Sequence, residues 1–270
     1  MAGEWEMPAG TLMVGKRGLV MGVANQNSIA WGIASQLAAQ GAAVGLAYME
    51  ANEKRVRPLG EKIGAALYTT FDAASDASME AAFAAVEHTW GGMDFLVHAI
   101  AYADRSQMKG SFVENATREG FAQALDISVY SFVDAARRAA RLMPNGGSIV
   151  TMTYLGSERT IPNYNTMGVA KAALEAATRY LARDLGPGGI RVNAISAGAM
   201  RTLSLAGISG GRAMLGHGRA MSALNQDTSM EGVAGCALWL LSDLGRSTTG
   251  EVIHVDAGFH MMGLAAEDES

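Results

Sequence analysis

Two rhythms of apolar and polar residues alternate along this chain. Short apolar runs at 17–22, 43–48, 66–71, 93–98, 147–152, 191–196 and 251–255 are set off by Gly, Asn, Asp or Pro, as by Pro144-Asn145-Gly146 before the fifth. Such runs read as buried strands. Between them, apolar positions three and four apart at 29–40, 52–63, 76–90, 117–142, 164–185 and 229–242 predict amphipathic helices. Gly41 closes the first, Thr117 with acidic Glu119 opens the fourth, and Gly186-Pro187-Gly188 stops the fifth. Strands alternating with helices predict an α/β fold, a single Rossmann-type doubly wound domain with a seven-stranded parallel sheet and helices on both faces. Ligands bind such sheets at the carboxyl ends of the strands.

One stretch breaks the alternation. Residues 199–220 carry Gly207, Gly210, Gly211, Gly216 and Gly218 beside Met200, Leu203, Leu205, Ile208, Met214 and Leu215. Glycine weakens a helix by about 1 kcal/mol relative to Ala. Apolar side chains on so weak a helix suit a lid that orders over an apolar ligand.

Composition narrows the picture. With 270 residues and 49% hydrophobic content the chain can bury a large core, and no linker divides 1–270. Residues 1–15 read as an irregular leader and 264–270 as a flexible tail. A net charge of −5 offers no basic footprint for nucleic acid. The lone Cys236 allows no disulfide framework, and the five histidines lack metal-ligand spacing, so no metal is expected. His98, ending a buried strand, reads as a satisfied core residue. Neither an export signal nor a run of about 18 apolar residues is present, so the expectation is a cytoplasmic protein with no membrane span.

Candidate chemistry sits at the predicted strand ends. The turn from Gly22 to Gly32 leads into a helix whose first amides could hold a pyrophosphate, although Ala24 stands where a GxGxxG motif has its second glycine. The Ser28 hydroxyl could cap that helix or bind a phosphate oxygen. Met49 and Glu50 end the second strand without a cation for a 2′-phosphate, which favours NADH over NADPH unless Arg55 or Arg57 reaches back. Asp72 is placed either to accept from an adenine amino group or to cap the next turn. Tyr164 and Lys171 are seven apart, which on a helix puts them on one face about 10 Å apart. Tyr154, at a strand end, reads either as a half-buried aromatic or as a functional phenol.

Five strings then carry a resemblance: GVAxxxSIAxGIA at 22–34, HxIxxA at 98–103, TREGF at 117–121, YLGxERxIPNYNxMGxAK at 154–171 and RVNAISAG at 191–198. Over 12–260 the chain resembles the FabI-type enoyl-acyl-carrier-protein reductases, a branch of the short-chain dehydrogenases. Ketone-reducing branches have Tyr and Lys four apart, where this chain has Met167. The resemblance implies that NADH delivers hydride to the β-carbon of a trans-2-enoyl thioester in fatty-acid elongation. It implies that Tyr164 stabilises the enolate, that Lys171 holds the nicotinamide ribose, and that Tyr154 is a second active tyrosine. Cofactor contacts implied are Gly22, Ser28, Ile29, Met49, Asp72, Ala73, Ile100, Lys171, Met200, Arg201, Thr202, Leu203 and Ser204; Ala103 is the implied substrate contact. Implied partners are acyl-carrier protein and three further copies in a homotetramer. Three residues depart from the family pattern: Ala101 and Ala257 stand where glycine is usual, and Ala199 where proline is.

Overall fold

The computed structural model describes residues 7–202, 205 and 211–264. Seven strands form one parallel sheet: β1 (Arg17–Met21), β2 (Ala43–Tyr48), β3 (Leu67–Thr70), β4 (Phe95–His98), β5 (Gly147–Thr153), β6 (Ile190–Ala197) and β7 (Val252–Val255). Their order across the sheet is β3-β2-β1-β4-β5-β6-β7. The chain therefore reverses direction of travel between β1 and β4, and the crevice above that switch point is where such sheets hold a ligand.

The helices are α1 (Ile29–Ala39), α2 (Glu53–Lys62), α3 (Asp76–Trp90), the single turn α4 (Phe112–Asn115), α5 (Arg118–Leu125), α6 (Ser131–Arg141), α7 (Asn165–Leu185), α8 (Gly211–Met221) and α9 (Met230–Leu241). Strand alternation sorts two cores. Val20, Val97, Val150 and Ile195 pack on one face against Ile33, Leu37 and Leu240 of α1 and α9. Leu19, Leu96, Ile149 and Val192 face the other way, against Phe83, Phe132 and Leu174 of α3, α6 and α7. Each such side chain contributes about 1.5–3 kcal/mol when fully buried, so the strand ends are held by a stiff frame.

Three expectations change. The predicted helix 117–142 is interrupted by a π turn, Asp126–Tyr130, between α5 and α6. Helix 164–185 starts one residue later, because Asn165 has φ 38 and Tyr164 is its N-cap. The same-face argument for Tyr164 and Lys171 therefore fails, although both reach the same cleft. The described part of the leader is fastened to the fold: Met13 is fully buried, and the Gln36 and Gln40 amides donate to Pro8 O at 3.0 and 2.7 Å.

Candidate active site

A cleft of about 640 Å³ opens over the carboxyl ends of β1, β4, β5 and β6. Its phosphate end begins at Gly22, where φ is 101 and a Cβ would collide with the Ala99 carbonyl oxygen. Only glycine suits that approach of two strand ends. Ser28 does not cap α1 with its side chain. Its Oγ instead accepts from the Ala24 and Asn25 amides, both at 3.0 Å, which folds the loop back and leaves the hydroxyl proton to donate. The first amides of α1, at Ile29 and Ala30, thus face the cleft without a side-chain cap. Uncapped amides at a helix N-terminus fit a pyrophosphate.

At the other end, Gly156 and Gly168 let the turn after β5 lie against the start of α7. A Cβ on Gly156 would collide with the Tyr164 ring, and one on Gly168 would come within 2.7 Å of Gly156 O. Tyr164 is 7% exposed and meets Tyr154 edge-on, ring centroids 5.0 Å apart. Edge-to-face contact is a favoured aromatic geometry. Burial pushes the Tyr164 phenol far above its ordinary range, and Tyr154 and Glu175 push the same way. Burial also raises Tyr154, with the Asp256 carboxylate adding to it. Both phenols are consequently donors rather than phenolates at neutral pH.

Lys171, 6% exposed, donates from Nζ to Met152 O at 2.7 Å. Among the described residues that carbonyl is the acceptor the ammonium has, so two of its three N–H groups remain to offer a diol. Burial lowers its pKa to about 8, with the Glu175 carboxylate partly opposing the shift. Glu175 is itself buried and accepts a 2.6 Å hydrogen bond from Thr153 Oγ1. His98 is a core residue as expected. It lies between Thr151 Oγ1 and Ser131 Oγ, at 3.2 and 2.9 Å, and burial followed by the Lys171 charge lowers its pKa to about 3.

Gly22, Ser28, Ile29, Ile100, Ala103, Tyr154, Tyr164, Lys171, Met200 and Thr202 all line the cleft, as do Ala101 and Ala199. Met49, Asp72, Ala73 and Arg201 do not. The first three follow β2 and β3, further along the sheet, and Arg201 is exposed. Leu203 and Ser204 lie outside the described residues, as do 206–210 of the expected lid and 265–270 of the expected tail. Asp72 caps the turn that follows it, its Oδ1 accepting from Ala74 N at 3.0 Å, while Ser75 caps α3 itself; a second Asp72 oxygen is left over. Arg55 donates to Asn52 Oδ1 at 2.8 Å, while Arg57 pairs with Glu53 at 2.7 Å and stacks over Tyr68. Both guanidinium groups are thus engaged by Asn52, Glu53 and Tyr68 rather than by Met49 among the described residues.

Sequence reasoning missed Ser128, Glu175, Asn163 and Asn165. Ser128 is fully buried in the π turn and grips both backbone groups of Tyr102, accepting from its N–H at 3.0 Å and donating to its carbonyl at 3.1 Å. That clasp sets the depth of the loop carrying Ala101 and Ala103. Glu175 had a signal, one turn past Lys171 on the same helix face.

The family model described as "Enoyl-(Acyl carrier protein) reductase" matches residues 22–260. A Rhizobium meliloti protein, "Enoyl-[acyl-carrier-protein] reductase [NADH] 1", is 51% identical over 96% of both chains. A Rickettsia bellii protein named as the NADH-dependent FabI is 46% identical over 93% of this chain and 96% of its own. The crystal structure of the Anaplasma phagocytophilum reductase in complex with NAD superimposes with a TM-score of 0.92 at 48% identity, over 97% of this chain and all of that one.

Proposed function

This chain belongs to the enoyl-acyl-carrier-protein reductase family, and from that premise we propose how its own residues carry the reaction. The enzyme uses NADH to reduce the trans-2 double bond of enoyl-acyl-carrier-protein thioesters in fatty-acid synthesis. When bound, NADH supplies the hydride that the β-carbon receives. Negative charge then gathers on the thioester oxygen as an enolate. Tyr164, kept protonated by burial, donates a hydrogen bond to that oxygen. Lys171 offers its two remaining N–H groups to the nicotinamide ribose and sets a positive potential beside the phenol. Tyr154, held edge-on, steadies the Tyr164 ring and supplies a second donor.

Gly22, Ser28, Ile29 and Ile100 hold the pyrophosphate and nicotinamide portion. Met49, Asp72 and Ala73 would receive the adenosine, for which Asp72 would supply a hydrogen-bond acceptor. Ala103, Met200, Leu205 and Met214 line the cleft and would surround the acyl chain, which supports reading the described part of 199–220 as its cover. Exposed Tyr130, Val169 and Tyr180, at the π turn and on α7, support a homotetramer, testable by light scattering. A cytoplasmic site of action suits the unpaired Cys236. Among the described residues no helix is long and apolar enough to cross a membrane.

A single observation carries the assignment of chemistry. The buried phenol in the cleft is Tyr164, whereas the position one turn before Lys171 is Met167, which has no proton to give. Oxidation of NADH with a crotonyl thioester and with an acetoacetyl thioester tests it. Turnover of the first alone is expected, and turnover of the second would overturn it.

A further inference from the structure

Tyr164 is bracketed by two asparagines in the left-handed region, Asn163 at φ 65 and Asn165 at φ 38. Asn is the side-chain-bearing residue that visits this region most readily, because its short amide can bond locally. Here both amides reach instead to one distant turn. Asn163 Oδ1 accepts from Gly110 N at 2.9 Å, and Asn165 Nδ2 donates to Gly110 O at 3.3 Å and Lys109 O at 3.4 Å. A flipped Asn165 amide would set its oxygen against two carbonyls, so the donor's identity is fixed by chemistry.

The turn is itself anchored. Gly110 has φ 58, and Asn115 Nδ2 donates to Lys109 O at 2.9 Å. Just before it, buried Gln107 accepts from Thr166 Oγ1 at 3.3 Å and from Thr117 N at 3.3 Å, and Met108 packs with Tyr164 and Met167. Segment 105–117, between β4 and α5, therefore grips the chain on both sides of the tyrosine.

We propose that Asn163 and Asn165 are positioning residues, fastening the Tyr164 backbone to the Lys109–Gly110 turn so that the phenol projects into the cleft from the N-cap of α7. This arrangement explains how a tyrosine seven residues from the lysine reaches the same site: the backbone is turned out of helical phase at 163 and 165 and then pinned. The proposal rests on Tyr164 being the donor to the substrate oxygen.

Asn165→Gly keeps the left-handed backbone accessible but removes the donor, and Asn165→Asp keeps the shape but presents acceptors only. Both should lower kcat with enoyl thioester about 10- to 100-fold, leaving NADH affinity and thermal midpoint near wild type. Asn163→Gly, which removes the acceptor, should behave alike to a smaller degree. In a Tyr164→Phe background, Asn165→Gly should have almost no further effect, since there is no phenol left to place. Wild-type turnover of Asn165→Gly would show that left-handed backbone alone suffices and would overturn the clasp. Equal losses from Asn165→Gly in the wild-type and Tyr164→Phe backgrounds would overturn it too, as would a loss of NADH affinity in step with kcat. If Tyr164→Phe alone left turnover unchanged, the donor reading of Tyr164 would fail instead, an outcome separable from the other two.

Discussion

At the β1 end of the cleft, what faces a ligand is backbone: loop and helix amides shaped by Gly22 and drawn together by the Ser28 hydroxyl. At the β5 end it is two buried side chains, Tyr164 and Lys171, whose proton affinities are shifted by the same burial that holds them. The first end depends on conformation and hardly on pH. The second depends on dielectric and neighbouring charge, so damage there reads out as rate and pH dependence, whereas damage at the first reads out as cofactor affinity.

The largest separation between the two ends should come from Tyr164→Phe. Losing a donor aimed at developing oxyanion charge costs about 2.7–4 kcal/mol, or roughly 10²–10³ in kcat. The NADH dissociation constant, measured by fluorescence titration, should stay put, and a matching loss of NADH affinity would erase the distinction.

Next in size is a pH effect confined to the β5 end. Lys171 has a folded pKa of about 8 against an ordinary value of 10.5. Its positive charge is lost as pH rises through about 8, and kcat/KM should fall there by up to about tenfold per pH unit. Glu175 holds that midpoint up, so Glu175→Gln should move the alkaline limb to lower pH. Stability runs the opposite way for this group. Between about 8 and 10.5 the unfolded chain binds the proton that the folded chain has released, so unfolding free energy rises with pH over that window. His98, at about 3, should add no limb near neutrality. A urea series at pH 7 and 9.5 beside the rate profile would check both signs.

Ser28→Ala should act only at the β1 end. It strips the acceptor from two loop amides, at about 1–2 kcal/mol, and should weaken NADH roughly 5- to 30-fold with kcat at saturation preserved. A smaller effect still should come from a site outside both ends. Ala257 has φ 57, in the left-handed region that glycine adopts without strain. Ala257→Gly should stabilise the protein by about 1 kcal/mol in urea unfolding, because a non-glycine residue in the left-handed region costs roughly 1–2 kcal/mol.

The β1 end was largely legible in the sequence, since a strand, a Gly22 turn and a Ser28 helix start are local features. So was the sheet, because short bounded apolar runs have few other meanings. The β5 end was legible in residue identity and misjudged in geometry. Periodicity carried the helix back through Tyr164, yet Asn163 and Asn165 end it there through φ values that no hydrophobic pattern encodes. Glu175 escaped notice because a carboxylate on an amphipathic helix ordinarily faces water, and only tertiary packing buries this one beside Thr153. The π turn escaped because no residue type in Asp126–Tyr130 announces a changed hydrogen-bond step inside a run that reads as helix on both sides.

That π turn also fixes a length. Taking one residue out of 126–130 would let α5 and α6 merge into a single α-helix, and everything on one side would rotate by about 100° against the other. Ala124, buried in α5, and Ser128, clasping Tyr102, could not both keep their places while Ser131 stayed beside His98. The connection between β4 and β5 therefore works as a counted spacer, in which side-chain identities are negotiable over much of the surface and the number of residues is not.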